Sequence, residues 1–301
     1  MYVTKEKYTP EQAKAFLAEQ DAAFEARIDR AAEYVLASGA EFLCLAGPSC
    51  AGKTTTAIKL TARLAKEGIA STVVSLDDFF YDMDYLVAMS ERKGTALDMD
   101  SADAIDLACF AECLAGFVAH KPTKVPIFDF HTHSRSGYRT LTHQKGNLII
   151  FEGIQAIYPE VTELIKPFGM ASIFACPEQP ITVGEQIFDP NIYRFYRRIV
   201  RDAQYRASDA DRTMQHWRGV RNNEDAHIFP LRDQFEYVVD TSMGYDLHLL
   251  TGYLRELVSA VGEDSRFYLR ALDILNRTAR IEPIPAEYLA KDSLYREFIE
   301  F

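Results

Sequence analysis

The segment formed by residues 42–56, FLCLAGPSCAGKTTT, constrains this chain more than any other part of it. An apolar run ends at Gly47, and Gly52, Lys53 and Thr54 complete the spacing G-x-x-x-x-G-K-T. Glycines let the backbone wrap tightly, so that successive N–H groups can converge on phosphate oxygens. The lysine supplies a mobile positive charge and the threonine hydroxyl can ligate Mg²⁺. This pattern predicts a phosphate-binding loop.

The flanking sequence supports that prediction, because such a loop needs a buried strand before it and a helix after it. The run before Gly47 is strand-like, and residues 55–66 carry apolar side chains at helical spacing. An ordinary Gly-rich turn between strand and helix is the alternative. The residues expected to bind the nucleotide phosphates are Gly47, Pro48, Ser49, Cys50, Ala51, Gly52, Lys53, Thr54 and Thr55.

Charge and cysteine content narrow the remaining classes of function. The formal net charge of −11 argues against nonspecific nucleic-acid binding and against a polybasic membrane anchor. The charged N-terminus lacks the apolar core of a signal peptide, so we expect a cytoplasmic protein. The five cysteines show neither a disulfide framework nor zinc spacing, although Cys50 in the loop is a candidate for redox inhibition.

Strand and helix patterns alternate along the chain, which predicts an α/β fold with a parallel sheet and helices on both faces. Residues 10–38 have the period of one long helix. We expect an N-terminal helical extension (1–39), a core domain (40–262) with a helical lid at about 193–221, and a helical C-terminal tail (263–301) packed on the core. Strands are expected at 71–76, 124–128, 147–151, 172–175 and 235–240, with a polar loop at 131–146 and helices over 100–119, 183–206, 210–217, 245–261 and 266–279.

Acidic residues follow two of the predicted strands. Asp77 and Asp78 come after the strand at 71–76, where ligands bind in open α/β sheets. Asp77 is the candidate catalytic base, with a helix cap or a solvated carboxylate as its alternative. Asp78 is either a structural residue or a contributor to a Mg²⁺ site. Glu152 ends the strand NLIIF and is placed to face Mg²⁺ directly or through water.

Arginines dominate the segment between Tyr193 and Arg221, which holds eight of them against three aspartates. Arg194, Arg198 and Arg201 share one face of the predicted helix. A face of one sign favours an anionic ligand, and a triphosphate is the natural candidate. Pairing with the acidic surface of the same protein is the alternative. Histidines 131, 133 and 143 crowd one polar loop, but no third metal ligand with suitable spacing accompanies an H-x-H pair, so substrate contact is the preferred interpretation.

Taken together, five motifs resemble the uridine kinase and phosphoribulokinase family of P-loop kinases, in particular its bacterial uridine-kinase-like branch. They are GPSCAGKTT, SLDDFF, VPIFDFHTHSR, FEGI and RRIVRDAQYR, in this order between about residues 40 and 250. The stretches TMQHWRGVRNNEDAHIFP and SLYREFI extend the likeness to the C-terminus. The resemblance implies ATP and Mg²⁺ as cofactors, a small nucleoside as substrate, and a homo-oligomer as one option. The acidic net charge leads us to expect no nucleic-acid or membrane partner.

The resemblance also implies roles for single residues. It places the general base on Asp77, the Mg²⁺-associated residue on Glu152, and the phosphate-binding lid arginines on Arg201 and Arg206. On the acceptor side it points to Asp98, Phe128, His133 and Arg198, with Phe128 in the place of a base-contacting tyrosine. Ala207 replaces a glycine of the lid turn.

We therefore expect a kinase that transfers the γ-phosphoryl group of ATP to the 5′-hydroxyl of a pyrimidine nucleoside. Its catalytic residues would be Lys53, Asp77, Arg201 and Arg206. Its Mg²⁺ ligands would be Thr54 and Glu152, with Asp78 as a further candidate. A site built around a hydrogen bond discriminates strongly, so the missing hydroxyl at Phe128 leaves the acceptor open. The alternatives are a kinase of the same fold acting on another small alcohol, such as a sugar phosphate, and a nucleotide-binding regulatory protein. A role linked to RNA has no basic surface to support it.

Overall fold

The computed structural model describes residues 1–94 and 101–300. Its ten strands within that part of the chain are β1 (Tyr2–Thr4), β2 (Phe42–Ala46), β3 (Ser71–Ser75), β4 (Thr123–Asp129), β5 (Ser134–Leu141), β6 (Leu148–Glu152), β7 (Met170–Cys176), β8 (Ile181–Val183), β9 (Gln186–Phe188) and β10 (Tyr237–Asp240). The α-helices described there are α1 (Pro10–Ser38), α2 (Lys53–Lys66), α3 (Met83–Lys93), α4 (Leu107–Val118), α5 (Pro159–Ile165), α6 (Pro190–Tyr205), α7 (Ala210–Asn223), α8 (Asp246–Ser259) and α9 (Tyr268–Thr278).

The core of the fold is a five-stranded sheet in the order β10-β7-β2-β6-β3, in which every pair is parallel. Strand β2 lies in the middle and is buried along its whole length. Parallel strands need both faces covered, which explains its unbroken apolar sequence. Because the strands are parallel, the carboxyl ends of β2, β3 and β6 meet at one edge of the sheet.

Helices cover both faces, and alternate residues of β2 point into two separate cores. Leu43 and Leu45 face the core built with α1, α2 and the helices α6 to α9. Phe42, Cys44 and Ala46 face the core built with α4, α5 and strand β4. This alternation is the period of two expected for a strand. The predicted α/β class with a parallel sheet and helices on both faces is confirmed.

Helix α1 runs over the predicted length and packs on the core. Thr9 caps it through the Gln12 amide, the Gln12 side chain returns the bond, and Gly39 ends it at a φ of 63°. This reciprocal pair is a capping box. Leu17, Phe24 and other inward residues of α1 belong to the same core as α2. Among the described residues, none of the helices is both long enough and apolar enough to cross a membrane.

Several local predictions were wrong. The predicted polar loop at 131–146 contains β5, which pairs with β4 in an antiparallel hairpin. The predicted helix start at residue 183 is occupied by strands β8 and β9, and helix α6 begins only at Pro190. Strand β8 pairs with β1 and β9, a small sheet that no sequence pattern indicated. Helices α3 and α5 were not predicted either.

Candidate active site

The phosphate loop joins β2 to α2 as predicted, and both of its glycines are required by the surroundings. A side chain at Gly47 would place its Cβ 2.0 Å from the carbonyl oxygen of Ala175. Gly52 has a φ of 82°, in the left-handed region that favours glycine. A Cβ there would also lie 2.9 Å from the side chain of Leu294. Only glycine fits this backbone path at either position.

The carbonyl groups of loop residues 48–52 are each held by a donor from the protein. Lys53 Nζ donates to the carbonyl of Pro48 at 3.1 Å. The four other donors are Arg194 to Ser49 at 2.9 Å, Arg197 to Cys50 at 3.3 Å, Thr241 to Ala51 at 2.6 Å and Thr56 to Gly52 at 2.8 Å. The loop is therefore fixed through its oxygen atoms.

This arrangement determines where the amide groups point. The loop contains no cis peptide, and in a trans peptide the C=O group and the following N–H group point in opposite directions. With the carbonyls of Ser49, Cys50 and Ala51 turned toward the protein, the N–H groups of the next residues point the other way. Converging N–H groups at the start of a helix form an anion site. The loop has the geometry of a phosphate cradle.

Two buried ion pairs supply the arginines that hold the loop. Arg194 is fully buried and donates to both carboxylate oxygens of Glu224 at 2.8 and 2.7 Å. Glu224 also accepts the Ser49 amide at 3.0 Å. Arg197 makes the equivalent two bonds to Asp246 at 2.6 and 2.8 Å. Arg194 was assigned to an anion-binding face, and this was wrong because Glu224 neutralises it inside the core.

The acidic candidates converge next to the loop lysine. Glu152 lies at the end of β6, where the strand register pairs it with Leu45 of β2 on one side and with Ser75 of β3 on the other. Asp77 follows Ser75 closely, in the turn after β3, and accepts a hydrogen bond from Gln155 Nε2 at 3.2 Å. Lys53 is buried and exerts an electrostatic effect on both carboxyl groups. Two carboxylates and one ammonium group therefore share the carboxyl edge of the sheet.

Burial changes the protonation of both acids. It raises the pKa of Glu152 to about 7, against the opposing effect of Lys53 and with further increases from Asp77 and Glu297. Burial also raises the pKa of Asp77, while Lys53, Gln155 and Arg206 lower it. Neighbouring carboxylates in a poorly solvated site favour a bound cation, which would offset their repulsion. These acids, with the hydroxyl of Thr54 in the first turn of α2, fit Mg²⁺, which prefers oxygen ligands.

Asp78 has a structural role. One carboxylate oxygen accepts the Phe128 amide at 3.1 Å and the other accepts Arg139 at 2.8 Å. Both contacts attach the β4–β5 hairpin to the turn after β3. These protein donors favour the structural interpretation of Asp78, and its contribution to a Mg²⁺ site stays a prediction.

Aromatic rings cluster between the turn that follows β3 and the β4–β5 hairpin. Phe128 is buried, and its ring lies 5.6 Å from Phe80 and 5.3 Å from Phe130. Phe130 is 46% exposed and lies 5.7 Å below the guanidinium of Arg206. His133 sits at the exposed hairpin turn with a φ of 51°. Asp98, the predicted ribose contact, lies outside the described residues.

Three further arginines of the lid segment gather around one carboxylate, that of Asp202. Arg201 donates to Asp202 at 2.9 and 2.6 Å, and Arg206 lies 3.9 Å from the same group. Arg198 contacts Asp202 at 3.3 Å and donates to the Ser49 hydroxyl at 2.9 Å. Arg198 was assigned to the acceptor, but the structure places it on the phosphate loop. Arg201 and Arg206 lie close enough to the loop to interact electrostatically with Cys50, and their catalytic role stays a prediction.

Two further sequence candidates have different surroundings from those expected. Cys50 is buried, and this burial shields its thiol from oxidants. Its backbone has a φ of 55°. His143 is buried away from His131 and His133, and its ring nitrogens lie 3.3 and 3.1 Å from two backbone carbonyl oxygens. It forms a group with Glu41 and His120 near the start of β2, at the opposite end of that strand from the phosphate loop.

Sequence reasoning missed five residues that shape the site: Gln155, Glu224, Thr241, Asp246 and Glu297. Gln155 orients Asp77, Thr241 and Asp246 fix the loop, and Glu297 contacts the start of α2. Glu297 lies in the motif SLYREFI, but the sequence of a motif does not show which residues it contacts in the fold.

Comparison with known proteins agrees with this geometry. The model of the Phosphoribulokinase / Uridine kinase family matches residues 42–247. The uridine kinase of Lactobacillus johnsonii is 25% identical over 220 residues, covering 72% of this chain and 95% of the relative. The uridine kinase of Ureaplasma urealyticum is 29% identical over 191 residues, covering 64% and 79%.

Among solved structures, a kinase from Silicibacter sp. TM1040, provisionally named for a fructose transport system, aligns with a TM-score of 0.52 at 17% identity. The alignment covers 70% of this chain and 98% of that one, and at this identity it supports the fold. The family match spans the loop, both acids and the lid arginines. The chain therefore belongs to the phosphoribulokinase/uridine kinase family and is a kinase of that family.

Proposed function

We propose that this kinase uses Mg·ATP to phosphorylate the 5′-hydroxyl of a nucleoside of the uridine or cytidine type. The observation that carries the proposal is the meeting of Lys53, Asp77 and Glu152 at the carboxyl edge of the sheet, beside a loop whose amides point outward. Phosphoryl transfer depends on positioning and on charge neutralisation, and these groups can supply both.

Each group has a distinct role in this proposal. The amides of the loop and Lys53 bind the phosphates, and Thr54 and Glu152 hold Mg²⁺, which neutralises charge on the phosphate oxygens. Asp77, oriented by Gln155, accepts the proton of the attacking hydroxyl. Its raised pKa makes it a better proton acceptor than an exposed aspartate. Arg201 and Arg206 approach the transferring phosphoryl group from the lid.

The aromatic surroundings support an uncharged acceptor. Phe80, Phe128 and Phe130 form a cluster beside the hairpin, and the exposed ring of Phe130 offers a surface on which a nucleobase could stack. A phosphorylated acceptor would need additional basic groups next to Asp77. Two curated relatives that cover most of their own length in the alignment are named uridine kinases.

A second candidate is a kinase of the same fold that acts on another small alcohol. The buried Phe128 favours it, since this ring offers no hydrogen-bonding group to a pyrimidine edge. A nucleotide-binding regulatory protein is a weaker alternative, because it would not need Asp77 to be held beside an acceptor pocket.

The test is phosphorylation of a panel of nucleosides and sugars with Mg·ATP, followed by product mass. We expect a nucleoside to gain one phosphoryl group, and Asp77→Asn to lower kcat by about 100- to 10,000-fold. Asp84→Asn is the matched control, because Asp84 is exposed on the neighbouring helix α3. Phosphorylation of a sugar alone supports the second candidate, and ATP hydrolysis that no acceptor stimulates supports the regulatory alternative.

A further inference from the structure

The C-terminal residues 293–300, here called the tail segment, lie against the start of helix α2. Leu294–Glu297 forms a short 3-10 turn whose cap is Ser293. Leu294, Tyr295, Phe298 and Ile299 are buried in the core shared with α1 and α2. The tail segment is thus an integral part of the domain, 242 residues in sequence from the loop residue that it contacts.

Glu297 places its carboxylate on phosphate-binding groups. The backbone N–H of Thr55 donates to Glu297 Oε2 at 3.2 Å, and the Thr55 hydroxyl donates to the same oxygen at 3.1 Å. The backbone N–H groups at this point of a phosphate loop cradle phosphate oxygens. A carboxylate and a phosphate cannot both occupy the N–H group of Thr55, so they compete for it.

The neighbouring residues of the tail segment strengthen this contact. The Thr55 hydroxyl also lies 3.4 Å from the carbonyl oxygen of Leu294, whose side chain reaches the space next to Gly52. The hydroxyl of Tyr295 donates to Asp246, the partner of Arg197. Burial and the charge of Asp77 raise the pKa of Glu152, and the charge of Glu297 raises it further. The Glu297 carboxylate therefore lies close enough to act on the site.

We propose that the tail segment is an autoinhibitory element in which Glu297 imitates a phosphate group of the nucleotide. ATP binds fully only after the Glu297 carboxylate has left Thr55. The inference rests on the proposed function, because it takes a nucleoside triphosphate as the ligand of the loop. The apparent Kd for nucleotide then equals the intrinsic Kd divided by the fraction of molecules in which Thr55 is free.

The experiment is calorimetric titration of the full chain with the Mg²⁺ complex of the β,γ-imido analogue of ATP. Glu297→Ala removes the competing carboxylate and should bind the analogue about tenfold more tightly, the equivalent of one charge-assisted hydrogen bond. Glu297→Gln keeps an acceptor without the charge and should fall between. Glu287→Ala is the control, an exposed glutamate in the same C-terminal region. In turnover assays, Glu297→Ala should lower the KM for ATP.

Unchanged or weaker binding by both Glu297 variants overturns the inference, and the proposed function then still stands if the wild-type protein binds the analogue. Binding by none of the proteins removes both. Thermal melting of each variant checks that the tail segment remains packed. If Glu297→Ala melts below the assay temperature, Glu297→Gln decides the question alone.

Discussion

Loss of the Glu224 carboxylate should destabilise the protein far more than loss of its neighbour Asp225. Glu224 is 1% exposed and accepts bonds from Ser49, Arg194 and Arg221. Burial would raise its pKa, but the hydrogen bonds and charge of Arg194 lower it overall. Glu224→Gln would leave the Arg194 guanidinium, which is 0% exposed, without a counter-ion.

Breaking a buried pair in this way costs about 3–5 kcal/mol. At about 2 °C per kcal/mol for a chain of this size, Tm should fall by about 6–10 °C. Asp225→Asn removes an ion pair with the same Arg221, but Asp225 is 62% exposed. Exposed pairs contribute about 0–1 kcal/mol, so this control should melt within about 2 °C of the wild type.

The assay is thermal unfolding followed by circular dichroism at neutral pH, together with nucleotide titration below Tm. Glu224→Gln should also weaken nucleotide binding, because Glu224 and Arg194 hold the amide and the carbonyl of Ser49. The double variant Arg194→Met, Glu224→Leu should be more stable than Glu224→Gln, since it leaves no buried charge unpaired. Equal Tm values for Glu224→Gln and Asp225→Asn would refute the reasoning.

Three further predictions concern other parts of the site. Burial raises the pKa of Glu152 from 4.5 to about 7, so the folded state binds more protons than the unfolded state between these pH values. The free energy of unfolding should therefore fall as the pH rises from 4.5 to about 7. Glu152→Gln should flatten this fall in urea titrations between those pH values. Gly47→Ala should abolish nucleotide binding through the clash with β7, whereas Gly219→Ala, at an exposed helical position with open space, should add about 0.5–1 kcal/mol to the free energy of unfolding. Asp78→Ala should lower that free energy by about 1–3 kcal/mol, because two hairpin donors lose their acceptor.

Each of these has an outcome that would contradict it. An unchanged pH dependence in Glu152→Gln would show that another group titrates in this range. Normal nucleotide affinity in Gly47→Ala would mean that the loop can move away from β7. An effect of Asp78→Ala no larger than that of Asp84→Ala, at an exposed site, would mean that the hairpin does not depend on the Asp78 contacts.

The sequence predicted those parts of the site that local pattern determines. Gly47, Gly52 and Lys53 follow a spacing imposed by the loop itself, and the strands before Asp77 and Glu152 are apolar because both faces of a parallel sheet are buried. The positions of these residues in the sheet then follow from topology. Such features need no information about distant partners.

Features that depend on distant contacts could not be predicted. Arg194 looks like a ligand-binding residue until its counter-ion, 30 residues away, is known. Strand β5 consists mostly of polar and small residues, SRSGYRTL, because none of its side chains is fully buried, and it therefore resembles a loop. Ala207 was identified as a departure from glycine, and the structure gives it a φ of 47° between α6 and α7. That backbone conformation disfavours side chains other than glycine.

The anchoring of the loop carbonyls bears on the entropy of nucleotide binding. Ordering one residue costs about 1–2 kcal/mol of conformational free energy, so a mobile loop would spend much of its binding energy on becoming ordered. Here the side chains of Arg194, Arg197 and Thr241 order residues 49–51 when the chain folds. NMR order parameters of the backbone at residues 49–51 should therefore be those of a rigid segment even without nucleotide, and the heat of binding should come from contacts made by a surface that is already in place.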